Sequence, residues 1–458
     1  MKFIVSCVKH SSGLCLGVNA SEDFIHLKKL GENRLNLLDA IDTENGNVYH
    51  IEKETYDELC SRIEKSIRQS IKNRRAVGIQ EAETITEKMW AGITDAASLL
   101  LKKVSLGIPV IIRFHNDSDG SSGAYAIYKG LSQFSNSNNV SIEEQNIVWI
   151  MQRGVSYSES DYILDKLILN NYESVEKPLI VMVDFGTTIA SNKGVKKIAE
   201  LADIIWLDHH PIEKGFFGIK LKHYINPWMF GGSSDYTAGM LACALVDSFS
   251  NVDNREIEDA SMIGDHSKYA RHSKSGSRIS MLLDLITSDS RLLKTSGSVT
   301  PHEIEAILAD NKKMDELLSY ANIKMEDMLY KATGSVKEHD YKKAMVCVSD
   351  FGRLRDSETK YPLPGRFSSR LFDELSKHYK KPCILILHSG NYISFRISKE
   401  LDQYINILEV ISEERKLHGD VIDSGGGHRN AASIKLVDDA YKGSVMKGLL
   451  DTLRSTLD

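Results

Sequence analysis

The chain has 458 residues, enough for two or three domains, and its 42% hydrophobic and 26% charged residues are those of an ordinary globular protein. A formal net charge of −6 argues against broad, nonspecific duplex binding, which needs a basic surface, while leaving room for a local basic groove. No apolar run approaches the roughly 18 residues of a membrane span, and the apolar patch in "MKFIVSCVKHSSG" is too short for a signal peptide.

The six cysteines show no C-x-x-C spacing and sit in apolar runs, so reduced thiols and a cytoplasmic location are expected.

Residues 1–50 read as a small strand-rich piece, with "KFIVSCV" and "GNVYHIE" as strands. Helical periodicity follows in "YDELCSRIEKSIRQSIKNRRA" and again over residues 82–103. Next, three short apolar runs each end in an acid. "GIPVIIRF" leads into His115, Asp117 and Asp119; "PLIVMV" leads into Asp184; "ADIIWL" leads into Asp208, His209 and His210. Such nearly continuous runs mark strands buried on both faces, as in a parallel sheet. Helical segments alternate with them, for example "SSGAYAIYKGLSQF" and "NKGVKKIAELA", which predicts an open, mostly parallel α/β sheet. Ligands of such sheets bind outside the carboxyl ends of the strands, so the acids are expected to converge. Residues 300–335 read as a polar, helical connector. New strands begin at "KAMVCVSD", continue through "PCILILHSG", "YISFRIS" and "AASIKLV", and give way to a final helix.

In "FHNDSDG", an extended backbone would point residues 115, 117 and 119 the same way, and Gly120 would then let the chain turn into a helix. With Asp184, His209 and Asp265 from "IGDHS", four carboxylates and two imidazoles would share one pocket. Four negative charges match two divalent cations, and mixed His/Asp donors without cysteine favour manganese. Taken singly, each element has an ordinary reading: a helix cap for Asp184, a structural pair for His209 and His210. Their combination is what points to a metal site.

These residues resemble the DHH phosphoesterase superfamily. "FHNDSDG", "VDFG", "LDHHP" and "IGDHS" are similar to its four motifs in order, and "DSGGGHRNAAS" is similar to the GGGH signature of its associated C-terminal domain. Within the superfamily the chain is most similar to archaeal RecJ-like exonucleases, although bacterial RecJ tends to carry aspartate where His115 stands. Only about thirty residues follow His428, too few for the OB-fold that bacterial RecJ carries there.

The resemblance implies an N-terminal extension of unassigned family over 1–85, a catalytic domain over 86–300, a connector over 301–340 and a smaller α/β substrate-binding domain over 341–458. A catalytic cleft would lie between the two main domains. One metal would be held by His115, Asp117 and Asp184, the other by Asp119, Asp184, His209 and Asp265. Asp208 would orient an imidazole, and His210 would face the scissile phosphate. Arg396, Gly425, Gly426, Gly427 and His428 would hold the substrate, the glycines as an anion nest.

The implied cofactors are two divalent ions, manganese first, with magnesium or cobalt as alternatives. The implied activity is hydrolysis of single-stranded DNA or RNA from an end by metal-activated water, in DNA repair or replication. Two other functions fit the family: a phosphodiesterase for short oligonucleotides or cyclic dinucleotides, and a non-catalytic replication scaffold that binds a GINS-type partner. Basic residues near the motifs (Lys268, Arg271, His272, Lys274, Arg278, Arg353, Arg355, Arg366 and Arg370) form either solvated faces or phosphate contacts. Tyr269 and Phe367 either stack a base or pack in a core.

Overall fold

A computed structural model describes residues 2–458 apart from 12–13, 21–24, 31–34, 43, 45–46, 72–76, 138–145, 153, 294–298 and 355–359. They form two compact units: Met1–Leu283 with Thr295–Asp310, and Asp284–Lys294 with Asn311–Asp458.

The first unit opens with β1 (Lys2–Lys9), β2 (Leu14–Ala20), β3 (Ile25–Lys29), β4 (Asp39–Asp42) and β5 (Val48–His50), followed by α1 (Lys53–Ser70) and α2 (Gln80–Ser105). The alternating pattern then gives β6 (Val110–His115), α3 (Ser118–Ser137), β7 (Ile147–Gln152), α4 (Glu159–Leu169), β8 (Tyr172–Ser174), β9 (Leu179–Val183), α5 (Asn192–Leu201), β10 (Asp203–Leu207) and β11 (His223–Ile225). Helices α6 (Ala238–Asp247), α7 (Arg255–Gly264), α8 (Lys274–Ser288), whose residues from Asp284 onward belong to the second unit, and α9 (Pro301–Leu308) complete the series.

Five of these strands make a wholly parallel sheet in the order β11-β10-β9-β6-β7. Its strands β6, β9 and β10 are buried on both faces. Ile112, Phe114, Val181, Val183, Ile205 and Leu207 enter one core, and Ile111, Ile180, Met182, Ile204 and Trp206 enter the other. The alternation of faces along each strand explains why the runs read as continuously apolar. The N-terminal strands form an antiparallel sheet, β3-β2-β1-β4-β5, which β8 joins beside β1. Cys7, Leu16, Val18 and Tyr56 share the core that contains α2 and one face of the parallel sheet. These residues of the first 85 therefore share the core of the first unit.

The second unit contains α10 (Asn311–Thr333), β12 (Lys337–Asp340), β13 (Met345–Asp350), α11 (Phe351–Leu354), α12 (Pro364–His378), β14 (Cys383–Ser389), β15 (Tyr392–Ile397), α13 (Ile407–Leu417), β16 (Ile422–His428), β17 (Ala431–Leu436) and α14 (Lys442–Leu457). Its mixed sheet runs β12-β13-β14-β15-β17-β16, with β13 and β14 parallel and the other pairs antiparallel. No helix among the described residues is long and apolar enough to cross a membrane. All six cysteines are buried thiols, and none is in a disulfide.

Candidate metal centre

The parallel sheet fixes where the site lies. From β6 the chain crosses to β7 on one side; it then returns to β9, on the other side of β6, and continues outward through β10 and β11. The carboxyl ends of β6 and β9 are therefore the switch point, where the loops diverge and leave a crevice. His115 ends β6, Asp184 follows β9, and Asp208 follows β10.

Residues 115–119 are not extended throughout. The strand stops at His115, and Asp117 caps α3: its Oδ1 accepts from Gly120 N at 3.0 Å, and its carbonyl accepts from Ser121 N at 3.1 Å. Asp119 lies in the first helical turn. Gly120 has another role than a turn. A Cβ there would meet the His115 backbone N and O at 2.6 Å, so the missing side chain lets the helix start against the end of the strand.

Asp119 is buried and held from three directions. Its oxygens accept from Ala238 N at 2.9 Å and Gly239 N at 2.7 Å, at the start of α6, and from Ser261 Oγ at 2.6 Å. The α6 terminus favours a negative charge there. His209 donates through Nδ1 to Ser234 O at 2.8 Å. That bond fixes the tautomer and turns Nε2 toward three carboxylates: Asp265 at 3.1 Å, Asp184 at 3.3 Å and Asp119 at 3.5 Å. His115 Nδ1 lies 2.6 Å from Asp117 and 3.6 Å from Asp184. The structure thus gathers His115, Asp117, Asp119, Asp184, His209 and Asp265 around one point.

Asp184 and Asp208 are sorted by their hydrogen bonds. Asp208 accepts from His209 N at 2.8 Å, from His210 Nδ1 at 2.8 Å and from Thr187 Oγ1, so its oxygens are committed to protein. Neither oxygen of Asp184 has a hydrogen-bond partner among the described residues, although the residue is only 2% exposed. A buried carboxylate without hydrogen bonds costs several kcal/mol, on the order of the penalties for uncompensated buried charge, unless a cation or proton answers it. Asp184 also holds φ of 66°, an uncommon value for a residue other than glycine and one found at functional sites.

The electrostatics follow from crowding. Burial, then the charge of Asp117, raise the pKa of Asp184. Burial, then Asp184, push Asp119 well above the ordinary carboxylate range. Burial opposes charge on His115 and His209, but carboxylate neighbours, Asp117 and Asp265 foremost, hold both imidazoles well above their ordinary value. Burial works against the charged forms of Asp117 and Asp208 too, yet the neighbouring imidazoles, His115 and His210, lower both. Carboxylates and imidazoles within 4.8 Å of one another form three overlapping groups with potential metal-ligand geometry: His115, Asp117 and Asp184; Asp119, His209 and Asp265; and Asp184, His209 and His210. The donor set of hard oxygens and imidazole nitrogens fits divalent manganese, magnesium or a similar ion.

The remaining candidates belong to the second unit. Gly425, Gly426 and Gly427 are not a curled nest. They stand in β16, paired with Ile434, Ser433 and Ala432 of β17. Gly427 has φ of 132°, and a Cβ there would meet Ala431 O at 2.5 Å, so the hairpin requires glycine at this position. Ala431 pairs with both His428 and Arg396, which places those two residues in one cross-strand row. The side chain of His428 lies outside what the structure describes. The Arg396 guanidinium donates to Ser369 Oγ at 3.1 Å, Phe395 O at 3.2 Å and Gly365 O at 3.2 Å, beside the start of α12.

Of the basic residues, Lys268 pairs with Glu81 at 2.7 Å, Arg271 with Glu258 at 2.7 Å and Arg370 with Glu374 at 3.1 Å; Arg366 pairs with Asp284. Arg355 lies outside the described residues. Tyr269 and Phe367, 7% and 0% exposed, are packing residues and offer no stacking face. Sequence reasoning passed over Thr187, Ser234, Ser261 and Trp228, which support the histidines and Asp119. Small hydroxyls carry no spacing signal, because their partners are chosen by the fold.

Comparison with known proteins bears on this geometry. Residues 109–264 match the family described as "DHH family, N-terminal domain". An uncharacterized protein of Methanocaldococcus jannaschii is 22% identical over 448 residues, covering 85% of this chain and 57% of the relative. The chain therefore spans little more than half of that relative's length. The solved DHH domain of a member of the S1p family of ribosomal proteins superposes with a TM-score of 0.74 at 20% identity, over 89% of this chain and 100% of that one. A crystal structure of exonuclease RecJ bound to manganese gives 0.51 at 15% identity, over 79% and 94%. These structural likenesses show the fold.

Proposed function

We propose, on the premise that this chain belongs to the DHH superfamily through its residues 109–264, that it is a metal-dependent phosphodiesterase of RecJ-like type, shortening single-stranded DNA or RNA from an end. The observation that carries the reading is Asp184: a buried carboxylate with no hydrogen-bond partner among the described residues, ringed by imidazoles and other carboxylates. His115, Asp117 and Asp184 would hold one divalent ion, and Asp119, Asp184, His209 and Asp265 the other, with Asp184 shared. Ions bound there would supply Lewis acidity to a phosphoryl oxygen and acidify water toward neutral pKa.

The chain's own residues set the stage for that chemistry. Ser234 holds His209 in the tautomer whose Nε2 faces the carboxylates. Asp208 engages His210 Nδ1 and so fixes the orientation of that half-exposed ring, which would face the scissile phosphate. The start of α6 and Ser261 hold the Asp119 carboxyl group in position among its neighbours, where a bound cation would favour its ionised form. A chain that retains all of these groups is better suited to catalysis than to a purely scaffolding role.

Replacing Asp208 with asparagine should lower metal affinity or turnover by roughly 10–100-fold, because the anchor of both histidines loses its charge. Manganese titration of the variant checks this; wild-type affinity and rate would remove Asp208 from the account. The activity itself is tested with strands labelled at either end, DNA and RNA in parallel, with manganese and with chelator. Stepwise shortening from one end with manganese alone supports the reading. Cleavage confined to dinucleotides or cyclic dinucleotides moves the enzyme to the short-oligonucleotide class, and no hydrolysis of any of them refutes a phosphodiesterase.

A further inference from the structure

After β11 the chain forms a tight bracket before α6, and this bracket is fixed to the backbones of both histidines. Asn226 donates from Nδ2 to His210 O at 3.0 Å and accepts from Trp228 N at 3.0 Å. Trp228 donates from Nε1 to His209 O at 3.1 Å and to Ser234 Oγ at 3.1 Å, and Ser234 Oγ donates to the same His209 carbonyl at 2.7 Å. At the far side, Lys88 donates to Phe230 O at 3.2 Å.

The polar edge of the indole is thus used up, yet its ring is left in water. Trp228 is 43% exposed and Met229 beside it 48%, whereas Trp206, in the core under the same sheet, is 0% exposed. Tryptophan is highly buried on average, and an exposed one with a fixed orientation is typical of a recognition surface. Its position is informative as well. The residue on whose carbonyl the indole rests is His209, whose imidazole is in the carboxylate cluster. His209 thus joins the two features: its carbonyl holds the indole edge and its imidazole enters the cluster.

We infer that Trp228 is the stacking platform for the nucleobase next to the phosphate that enters the carboxylate cluster. The inference rests on the phosphodiesterase reading and deepens it: the substrate class is a nucleic acid, recognised by a base face, not an inorganic polyphosphate or a sugar phosphate. Every base has such a face, so this contact is tolerant of sequence and demands an unpaired strand. Because the indole is already oriented, stacking orders little that was free before binding.

The test uses the full chain with manganese and two single strands of equal length, one intact and one whose terminal residues are abasic. Trp228→Ala should raise KM for the intact strand by about 10–100-fold, and should leave KM for the abasic-ended strand unchanged. Trp228→Phe keeps an aromatic face and removes the Nε1–H donor, so its KM should stay near wild type. An unchanged KM for Trp228→Ala on the intact strand overturns the inference. So does an equal rise on both strands, or a phenylalanine variant as impaired as the alanine one. If the wild-type protein cuts neither strand, the hydrolytic reading fails by itself. The platform is then judged from strand affinity in chelator, by fluorescence anisotropy: loss in Trp228→Ala with recovery in Trp228→Phe supports it, and equal affinities overturn it.

Discussion

Asp184→Asn should reduce manganese-dependent hydrolysis by a factor of at least about 10³, equivalent to about 4 kcal/mol of transition-state stabilisation, while the metal-free variant melts no lower than the metal-free wild type. The two halves of this expectation have one cause. Asp184 Oδ2 lies 3.6 Å from His115 Nδ1, and Oδ1 lies 3.3 Å from His209 Nε2 and 3.9 Å from His210 Nδ1, so one oxygen faces His115 and the other faces His209 and His210. Removing its charge removes the group best placed to be shared by two ions. Without ions, burial and the nearby Asp117 charge work against ionised Asp184, so the neutral amide relieves repulsion. Asparagine also accepts the left-handed backbone at φ of 66°, which alanine would strain. Initial rates and thermal melting in chelator check both halves; a wild-type rate would refute the assignment.

Arg113→Met should destabilise the first unit by about 3–5 kcal/mol. Arg113 is 1% exposed and lies in β6 two residues before His115. Its guanidinium grips Asp165, 0% exposed, through Nη2 at 2.7 Å and Nε at 2.9 and 3.0 Å, and donates to Gln152 at 2.8 Å. Tyr157 donates to Asp165 at 2.7 Å. Methionine fills much of the volume but leaves Asp165 buried against a tyrosine alone, where burial already raises its pKa. Arg113→Met with Asp165→Leu removes both charges and should recover most of the loss, which separates the cost of an orphaned carboxylate from that of altered packing. Denaturant midpoints of the single and double variants provide the comparison. A single variant as stable as wild type would show that the network carries no net weight.

Much of the first unit was legible because its strands obey a simple constraint. "IPVII", "PLIVMV" and "IIWL" are apolar throughout since both faces are buried, and the acids that follow these strands stand where a parallel sheet must present its loops. Strands β7 and β11 were not read in advance. β7 has four half-buried residues in six, and β11 has only three residues, too few to show a period. The pairing of β1 with β8 brings together residues more than 160 positions apart, such as Lys9 and Tyr172, and no local pattern encodes it. Gly120 and Gly425–Gly427 show a different limit. Glycine marks a place where a side chain does not fit, but the sequence does not say whether the reason is a turn, a close approach or a strand pairing. Trp228 was missed because its significance lies in where its indole edge is anchored, which depends on the backbone of His209.

The central claim is that His115, Asp117, Asp119, Asp184, His209 and Asp265 cage a pair of divalent ions. Anomalous diffraction from crystals grown with manganese, recorded at the manganese absorption edge, tests it most directly. The account predicts two peaks sharing Asp184, one beside His115 and Asp117 and the other beside Asp119, His209 and Asp265. Crystals saturated with manganese that show no peak within this ring of residues would contradict it.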